Sequence, residues 1–351
     1  MSATPKLFQP TKVGDITLAH RVVLAPMTRL RNTDAHVPTV LGLEYYRQRA
    51  SVPGTLLITE AAYIAAQAGG QPNAPGIYNA EQIAAWKTIV DAVHAKGSFI
   101  YLQLWALGPS PIPLSEHPDD IPRALTIDEI REYVNWFAQA AKNAVDGAGF
   151  DGVEFLQDVS NTRTDVYGGS VENRARFMLQ VVDAVTLAVG QKKTALRISP
   201  WSEYQDMRMK DPVPTFTYLV QQLAKRWPDL AYLHVVDAGG PGNKGPRTQR
   251  HRELTARVQQ LSFVRDLWSP RPLVSTGGYD RTGGVKTAEE TGQLIGYGRP
   301  FVANPDLPAE GYTTYPFSEE FVKAEQAKAA VPATKEKGSA AHTKELKKIV
   351  A

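Results

Sequence analysis

Eight short apolar runs, rich in β-branched residues, recur along the chain. They are Arg21–Met27, Thr55–Ile64, Ser98–Trp105, Gly152–Leu156, Ala195–Pro200, Ala231–Asp237, Pro272–Gly278 and Gly292–Arg299. Their near-continuous apolar character predicts strands covered on both faces, as in a parallel sheet. Between them the period lengthens. Ala80–Lys96 places Ile83, Trp86, Ile89, Val90 and Val93 on one stripe at three- and four-residue steps. Thr126–Ala148 does the same with Ile127, Ile130, Val134, Phe137, Ala141 and Val145, and opens on the capping-box pattern Thr126-Ile127-Asp128-Glu129. Further helices are predicted over Val171–Val189, Val213–Arg226 and Glu253–Leu267, with a weaker pattern over Leu41–Ala50. Strands alternating with helices eight times predict an α/β fold of (β/α)8 TIM-barrel type. The segment Lys12–Arg21, turning at Gly14-Asp15, reads as an N-terminal β-hairpin that closes the barrel's bottom. A doubly wound sheet is disfavoured, because no G-x-G-x-x-G turn follows an early strand.

A barrel of this type needs roughly 250 residues, and the chain has 351. A single barrel domain is expected over residues 1–321, followed by a Lys/Ala-rich tail over 322–351. The tail holds seven lysines and three glutamates, so it carries +4 of the net +3 and leaves the body at −1. The body is therefore no basic nucleic-acid surface. No stretch approaches the ~18 apolar residues of a membrane span, and residues 1–10 lack a secretory pattern. The absence of cysteine removes thiolate nucleophiles, disulfides and cysteine-held clusters. The expectation is a cytoplasmic enzyme, monomer or homodimer, acting on a small molecule without nucleic-acid or membrane partners.

Barrel chemistry sits where strands end at their C-terminal face. Those ends are Pro26-Met27-Thr28, Glu60-Ala61-Ala62, Gln103-Leu104-Trp105, Arg197, Gly277-Gly278 and Gly298-Arg299. Glycines after the last two strands leave backbone amides bare for a phosphate, and Arg299 adds a forked, permanently charged donor. Arg197 lies in an otherwise apolar strand and needs an anionic partner, either a ligand or a carboxylate such as Glu60 or Glu154. Taken singly, Gly277-Gly278 is an ordinary turn, Gln103 a satisfied buried amide and Trp105 a core residue. Together, at one end of successive strands, they favour a phosphorylated cofactor.

Several stretches make the chain resemble the Old Yellow Enzyme family of FMN-dependent NADPH dehydrogenases and ene reductases, most closely its fungal members. They are Arg21–Arg31 (RVVLAPMTRLR), Tyr45–Glu60 (YYRQRASVPGTLLITE), Asn73–Tyr78 (NAPGIY), Gln103–Trp105 (QLW), Asn161–Phe177 (NTRTDVYGGSVENRARF), Arg197–Pro200 (RISP), Thr276–Tyr279 (TGGY) and Gly298–Pro308 (GRPFVANPDLP). The likeness runs from Leu7 to about Phe317, with Asn161–Phe177 read as architectural. It implies FMN as cofactor and NADPH (or NADH) as hydride donor, with an α,β-unsaturated carbonyl compound as substrate. By the same resemblance Pro26, Met27 and Thr28 line the flavin, with the Thr28 hydroxyl tuning it. Ala61 and Gln103 meet its polar edge, Arg197 faces N1 and the C2 carbonyl, and Gly277, Gly278, Gly298 and Arg299 hold its phosphate. Thr28 and Trp105 face the substrate.

The chain departs from that pattern at one decisive place. After Gly152-Val153-Glu154 the family continues through a histidine, its Asn or His partner and a proton-donating tyrosine. This chain runs directly into Phe155-Leu156-Gln157-Asp158. Two other segments are short, after Trp105-Ala106-Leu107-Gly108 and after Pro305-Asp306-Leu307-Pro308. All three fall on the ligand-facing side. Loss of one oxyanion donor costs ~10²–10³ in rate, so ene reduction is expected to be impaired. Among Tyr167, Tyr204, His234 and His251, Tyr204 is the nearest candidate replacement acid, and His234 reads as a satisfied core histidine.

Overall fold

The computed structural model describes residues 4–106, 123–156, 161, 163–202, 209–236 and 261–308. A two-stranded hairpin, β1 (Thr11–Val13) and β2 (Ile16–Leu18), precedes the main sheet. Eight parallel strands then close into a barrel. They are β3 (Val22–Leu24), β4 (Leu56–Tyr63), β5 (Phe99–Trp105), β6 (Gly152–Leu156), β7 (Thr194–Ile198), β8 (Tyr232–Val236), β9 (Leu273–Thr276) and β10 (Leu294–Tyr297), in chain order with β10 against β3. All eight predicted strands are present, and the fold is the expected TIM barrel.

The helices lie outside: α1 (Val40–Arg49), α2 (Ala80–His94), α3 (Ile127–Lys142), α4 (Val171–Val189), α5 (Val213–Arg226), α6 (Ser262–Trp268), α7 (Arg281–Thr291) and α8 (Arg299–Ala303). The Thr126 capping box forms as predicted, Thr126 Oγ1 accepting from the Glu129 N–H while the Glu129 carboxylate accepts from the Thr126 N–H. The long helix predicted to Ala148 instead ends at Lys142 and passes into a π turn, closed by Gly149 at φ 82°. The weak pattern of α1 has a physical reason, since it buries Tyr46 and Arg49 while exposing Val40 and Leu41. Helix α7 escaped the sequence reading because its buried positions are Gly284, Thr287 and Ala288, which make no apolar stripe. Of the helix predicted over Glu253–Leu267, residues 253–260 lie outside the described residues, as does the tail from 322. None of the described helices is long and apolar enough to cross a membrane.

Two apolar layers hold the barrel. Inside its lower half pack Val23, Leu56, Ile58, Tyr101, Tyr232, Val274 and Leu294, sealed by Val13 and Leu18 of the hairpin. Burying such side chains contributes roughly 1.5–3 kcal/mol each. The hairpin therefore does close the bottom, and Gly14 at φ 54° lets its turn press against the Lys192 carbonyl. Gly152 is small for a related reason, because a Cβ there would meet the Tyr101 ring. Between strands and helices a second layer includes Trp86, Phe137, Phe155 and Trp268. The Asn161–Phe177 stretch is architectural as expected. Arg163 pairs with Asp165 and reaches the Leu125 carbonyl at 2.6 Å, and Arg174 donates to Thr215 on α5 at 2.8 Å.

His20 joins hairpin to barrel. The Val22 N–H donates to its Nδ1 at 3.2 Å, so the ring proton sits on Nε2 and is donated to Thr55 Oγ1 at 3.0 Å. The Thr55 hydroxyl passes on to the Val52 carbonyl at 2.6 Å. Burial lowers the His20 pKa from 6.5 to about 4. In the unfolded chain the imidazole takes a proton near pH 6.5, whereas in the folded chain it stays neutral until about pH 4. Stability from neutral His20 is thus full above pH 6.5 and lost as pH falls toward 4, by up to about 3 kcal/mol. Denaturant titrations across this window should show a shallower acid loss in His20→Gln than in the natural chain. Equal slopes would contradict the assignment.

Candidate active site

The residues singled out at the strand ends converge on one mouth. Met27 and Thr28 follow β3, Ala61 lies on β4 and Gln103 on β5. Arg197 is on β7, Gly277-Gly278 follow β9, and Gly298-Arg299 follow β10. Because β9, β10, β3, β4 and β5 are consecutive around the barrel, the glycine pair, Gly298, Met27, Ala61 and Gln103 form one continuous arc. Ala61 and Gln103 are register partners. A Cβ on Gly298 would stand 3.1 Å from Met27 Sδ, which brings the ends of β10 and β3 together. Pro26 and Met27 are half-buried, while Thr28 and Arg299 are exposed. Trp105 is half-buried and stacks on Tyr63, ring centroids 5.2 Å apart. Tyr204 and His251 lie outside the described residues, and so do residues 157–160, which follow β6.

Beneath the mouth the barrel interior turns polar. Glu154 on β6 is fully buried and receives the Gln103 amide at 2.6 Å and His234 Nδ1 at 2.7 Å. His234 Nε2 lies 3.0 Å from Thr276 Oγ1. Burial alone would push the Glu154 carboxyl up. The hydrogen bonds from His234 and Gln103 and the charge of Arg197 outweigh it and hold the pKa below the ordinary value. Burial also lowers the His234 pKa. We therefore read Glu154 as ionised and His234 as neutral, its Nδ1–H donating to the carboxylate and Nε2 accepting from Thr276. His234 is the satisfied core histidine that the sequence suggested.

The charge of Glu154 acts on Arg197. Glu60 accepts from the Arg29 N–H at 3.2 Å and the Asn32 amide at 3.4 Å. Burial lowers the Arg197 pKa against the pull of Glu154, yet a guanidinium stays charged. The side chain remains partly exposed, and its Nε is buried with no hydrogen-bond partner. An unsatisfied donor of this kind costs about 1–3 kcal/mol, which an acceptor entering the mouth would recover.

These features fit FMN. Arg197 Nε is a buried donor left without a partner, one Gln103 amide proton is committed to Glu154, and Gly277 (139°) and Gly278 (96°) both take positive φ just after β9, next to β10 and Gly298. Residues 6–311 match the model of the NADH:flavin oxidoreductase / NADH oxidase family. The chain belongs to this family, which includes Old Yellow Enzyme, and it is an oxidoreductase with FMN as its cofactor.

Its relatives include the chanoclavine-I aldehyde reductase fgaOx3 of Penicillium roqueforti, 45% identical over 92% of this chain and 100% of that protein. A protein of Claviceps purpurea named a probable inactive dehydrogenase, easA, is 38% identical over 91% of this chain and 97% of its own. Among solved structures, Old Yellow Enzyme from Pichia sp. is 36% identical with a TM-score of 0.76, covering 87% of this chain and 86% of its own. Morphinone reductase in complex with tetrahydroNAD is 34% identical with a TM-score of 0.76, covering 90% and 98%. The Penicillium alignment runs over 378 positions, whereas 92% of 351 residues is about 323. Roughly 55 positions (378 less 323) thus have no residue from this chain.

Sequence reasoning missed how Glu154, Thr276 and Thr59 contribute. Thr59 Oγ1 accepts from the Gln103 N–H at 3.1 Å and donates to the Glu60 carbonyl at 2.8 Å. The readable signal was a carboxylate and a histidine inside apolar strands. Glu154→Gln should lower the free energy of unfolding by about 3–5 kcal/mol, since it leaves Arg197 uncompensated. Adding Arg197→Met should return at least about 0.5 kcal/mol of that. Strict additivity in denaturant melts would show that the two groups are not coupled.

Proposed function

We propose that the chain binds FMN across the barrel mouth, takes hydride from NADPH or NADH, and acts weakly on activated C=C bonds. The carrying observation is Arg197, a charge held by Glu154 with a free donor at the mouth, on the same rim as the bare Gly277-Gly278 and Gly298-Arg299 backbone. When bound, FMN supplies the hydride relay between donor and acceptor. Arg197 favours negative charge at the flavin's N1 edge. Gln103 orients the polar edge, the exposed Thr28 hydroxyl tunes the ring, and Arg299 with the glycines holds the phosphate. Trp105, braced by Tyr63, faces the substrate with Thr28.

The residues after Glu154 set the limit. No His/Asn pair follows to hold a carbonyl oxygen, and no tyrosine to protonate the α-carbon. Loss of a single such donor costs ~10²–10³ in rate. Relatives named as aldehyde reductases favour a conjugated aldehyde as acceptor. Relatives named as probable inactive support a second reading, a flavin-binding protein that is catalytically degenerate or redox-neutral. The proposed reading places one domain over residues 1–321, in the cytoplasm, as monomer or homodimer.

Purified protein should be yellow and release FMN on denaturation, and anaerobic NADPH should bleach it. Reoxidation by cyclohexenone or a conjugated aldehyde should be at least ~10²-fold slower than in an intact relative. Colourless protein that takes up no FMN would overturn the flavin reading. Reoxidation at the relative's rate would overturn the impairment.

A further inference from the structure

The motif Tyr45–Glu60 has no part in the flavin contacts, yet its arginine is placed oddly for a surface helix. Arg49 on α1 is 5% exposed. It forms no ion pair with a carboxylate among the described residues, and its Nε is buried without a hydrogen-bond partner. A buried charge needs compensation, and here it comes from backbone and ring. Arg49 Nη2 donates to the Val302 carbonyl of α8 at 2.6 Å, and Nη1 to the Tyr45 carbonyl at 2.9 Å. Its guanidinium lies 3.8 Å from the Tyr45 ring centroid. The Arg29 guanidinium lies 5.0 Å from the same ring, and the Arg29 N–H is held by Glu60. Arg49 thus grips the segment carrying Gly298 and Arg299, and shares a ring with the residue next to Thr28.

We propose that Arg49 is a positioning residue for the cofactor's phosphate seat. One prong of its fork holds the Val302 carbonyl and the other the Tyr45 carbonyl, which fixes the Gly298–Ala303 segment against α1. Tyr45, whose ring both guanidiniums contact, ties that segment to the loop bearing Thr28. Lysine cannot reproduce the arrangement, because a point charge lacks the two-pronged donor and the flat face that stacks on a ring. The inference rests on the phosphate lying at Gly277, Gly278, Gly298 and Arg299, so its test separates the phosphate from the ring.

The natural chain, Arg49→Lys and Arg49→Met would each be stripped of flavin and titrated with FMN and with riboflavin, following quenching of flavin fluorescence. Circular dichroism would check folding. The natural chain should prefer FMN by at least about 100-fold, about 2.8 kcal/mol at tenfold per 1.4 kcal/mol. Arg49→Met should lose about tenfold or more in FMN affinity and little in riboflavin affinity. Arg49→Lys, which keeps the charge and guards against misfolding in the methionine variant, should also lose part of the preference. If Arg49→Lys keeps the full preference while folded, or loses affinity for both flavins equally, the inference fails. If the natural chain binds FMN and riboflavin alike, the phosphate placement itself fails, and the inference with it.

Discussion

A carboxylate buried inside the barrel is the constraint around which the upper half of this molecule is arranged. Glu154 has no solvent contact, and an ion removed from water costs several kcal/mol unless it is paired and hydrogen-bonded. Donors from other strands meet that requirement, Gln103 from adjacent β5 and His234 from β8 one strand beyond β7, with the charge of Arg197 on β7. Each of them is then held by a further group. Thr276 fixes the outer nitrogen of His234, and Thr59 the backbone of Gln103. Half-satisfied, such a network would be worse than an apolar core. Satisfied, it holds Arg197 charged at the rim with a donor left over.

The contrast with the lower barrel explains how the fold divides its labour. Below the carboxylate, branched and aromatic side chains fill the interior and the hairpin seals it, so that half carries stability. Above it the strands end in glycines, an alanine and an exposed threonine, so that half offers backbone and polar groups to a ligand. The positions that this chain lacks relative to the Penicillium enzyme leave the closed eight-stranded barrel intact. Barrel loops can be shortened without disturbing register, because register is set by strand pairing and interior packing.

Much of this was legible in order along the chain. Buried parallel strands announce themselves as apolar runs, and α2 through α5 by their stripes, since the hydrophobic effect acts on every core position alike. Helix α1 was faint because it buries an arginine and a tyrosine, and α7 invisible because it packs small residues against β10. Arg197 and Gly277-Gly278 were readable because a charge or paired glycines in an apolar run violate the local pattern. Arg49 was not, since an arginine on a helix is ordinarily solvated, and its burial depends on α8, some 250 residues further along the chain (253 positions separate Arg49 from Val302).

The sequence by itself determined the barrel, the mouth where the candidate site residues gather, the cofactor class implied by family likeness, and the absence of the His/Asn/Tyr group after Glu154. Those are properties of residue type and local spacing. Only the tertiary structure decided that Arg197 is partnered by Glu154 while Glu60 anchors the Arg29 loop, that His234 is neutral, and which donors satisfy the buried carboxylate. Each of those outcomes depends on which side chains meet across strands far apart in the chain, and pairwise electrostatics in a buried site are fixed by distance and solvent exclusion, which no one-dimensional pattern contains.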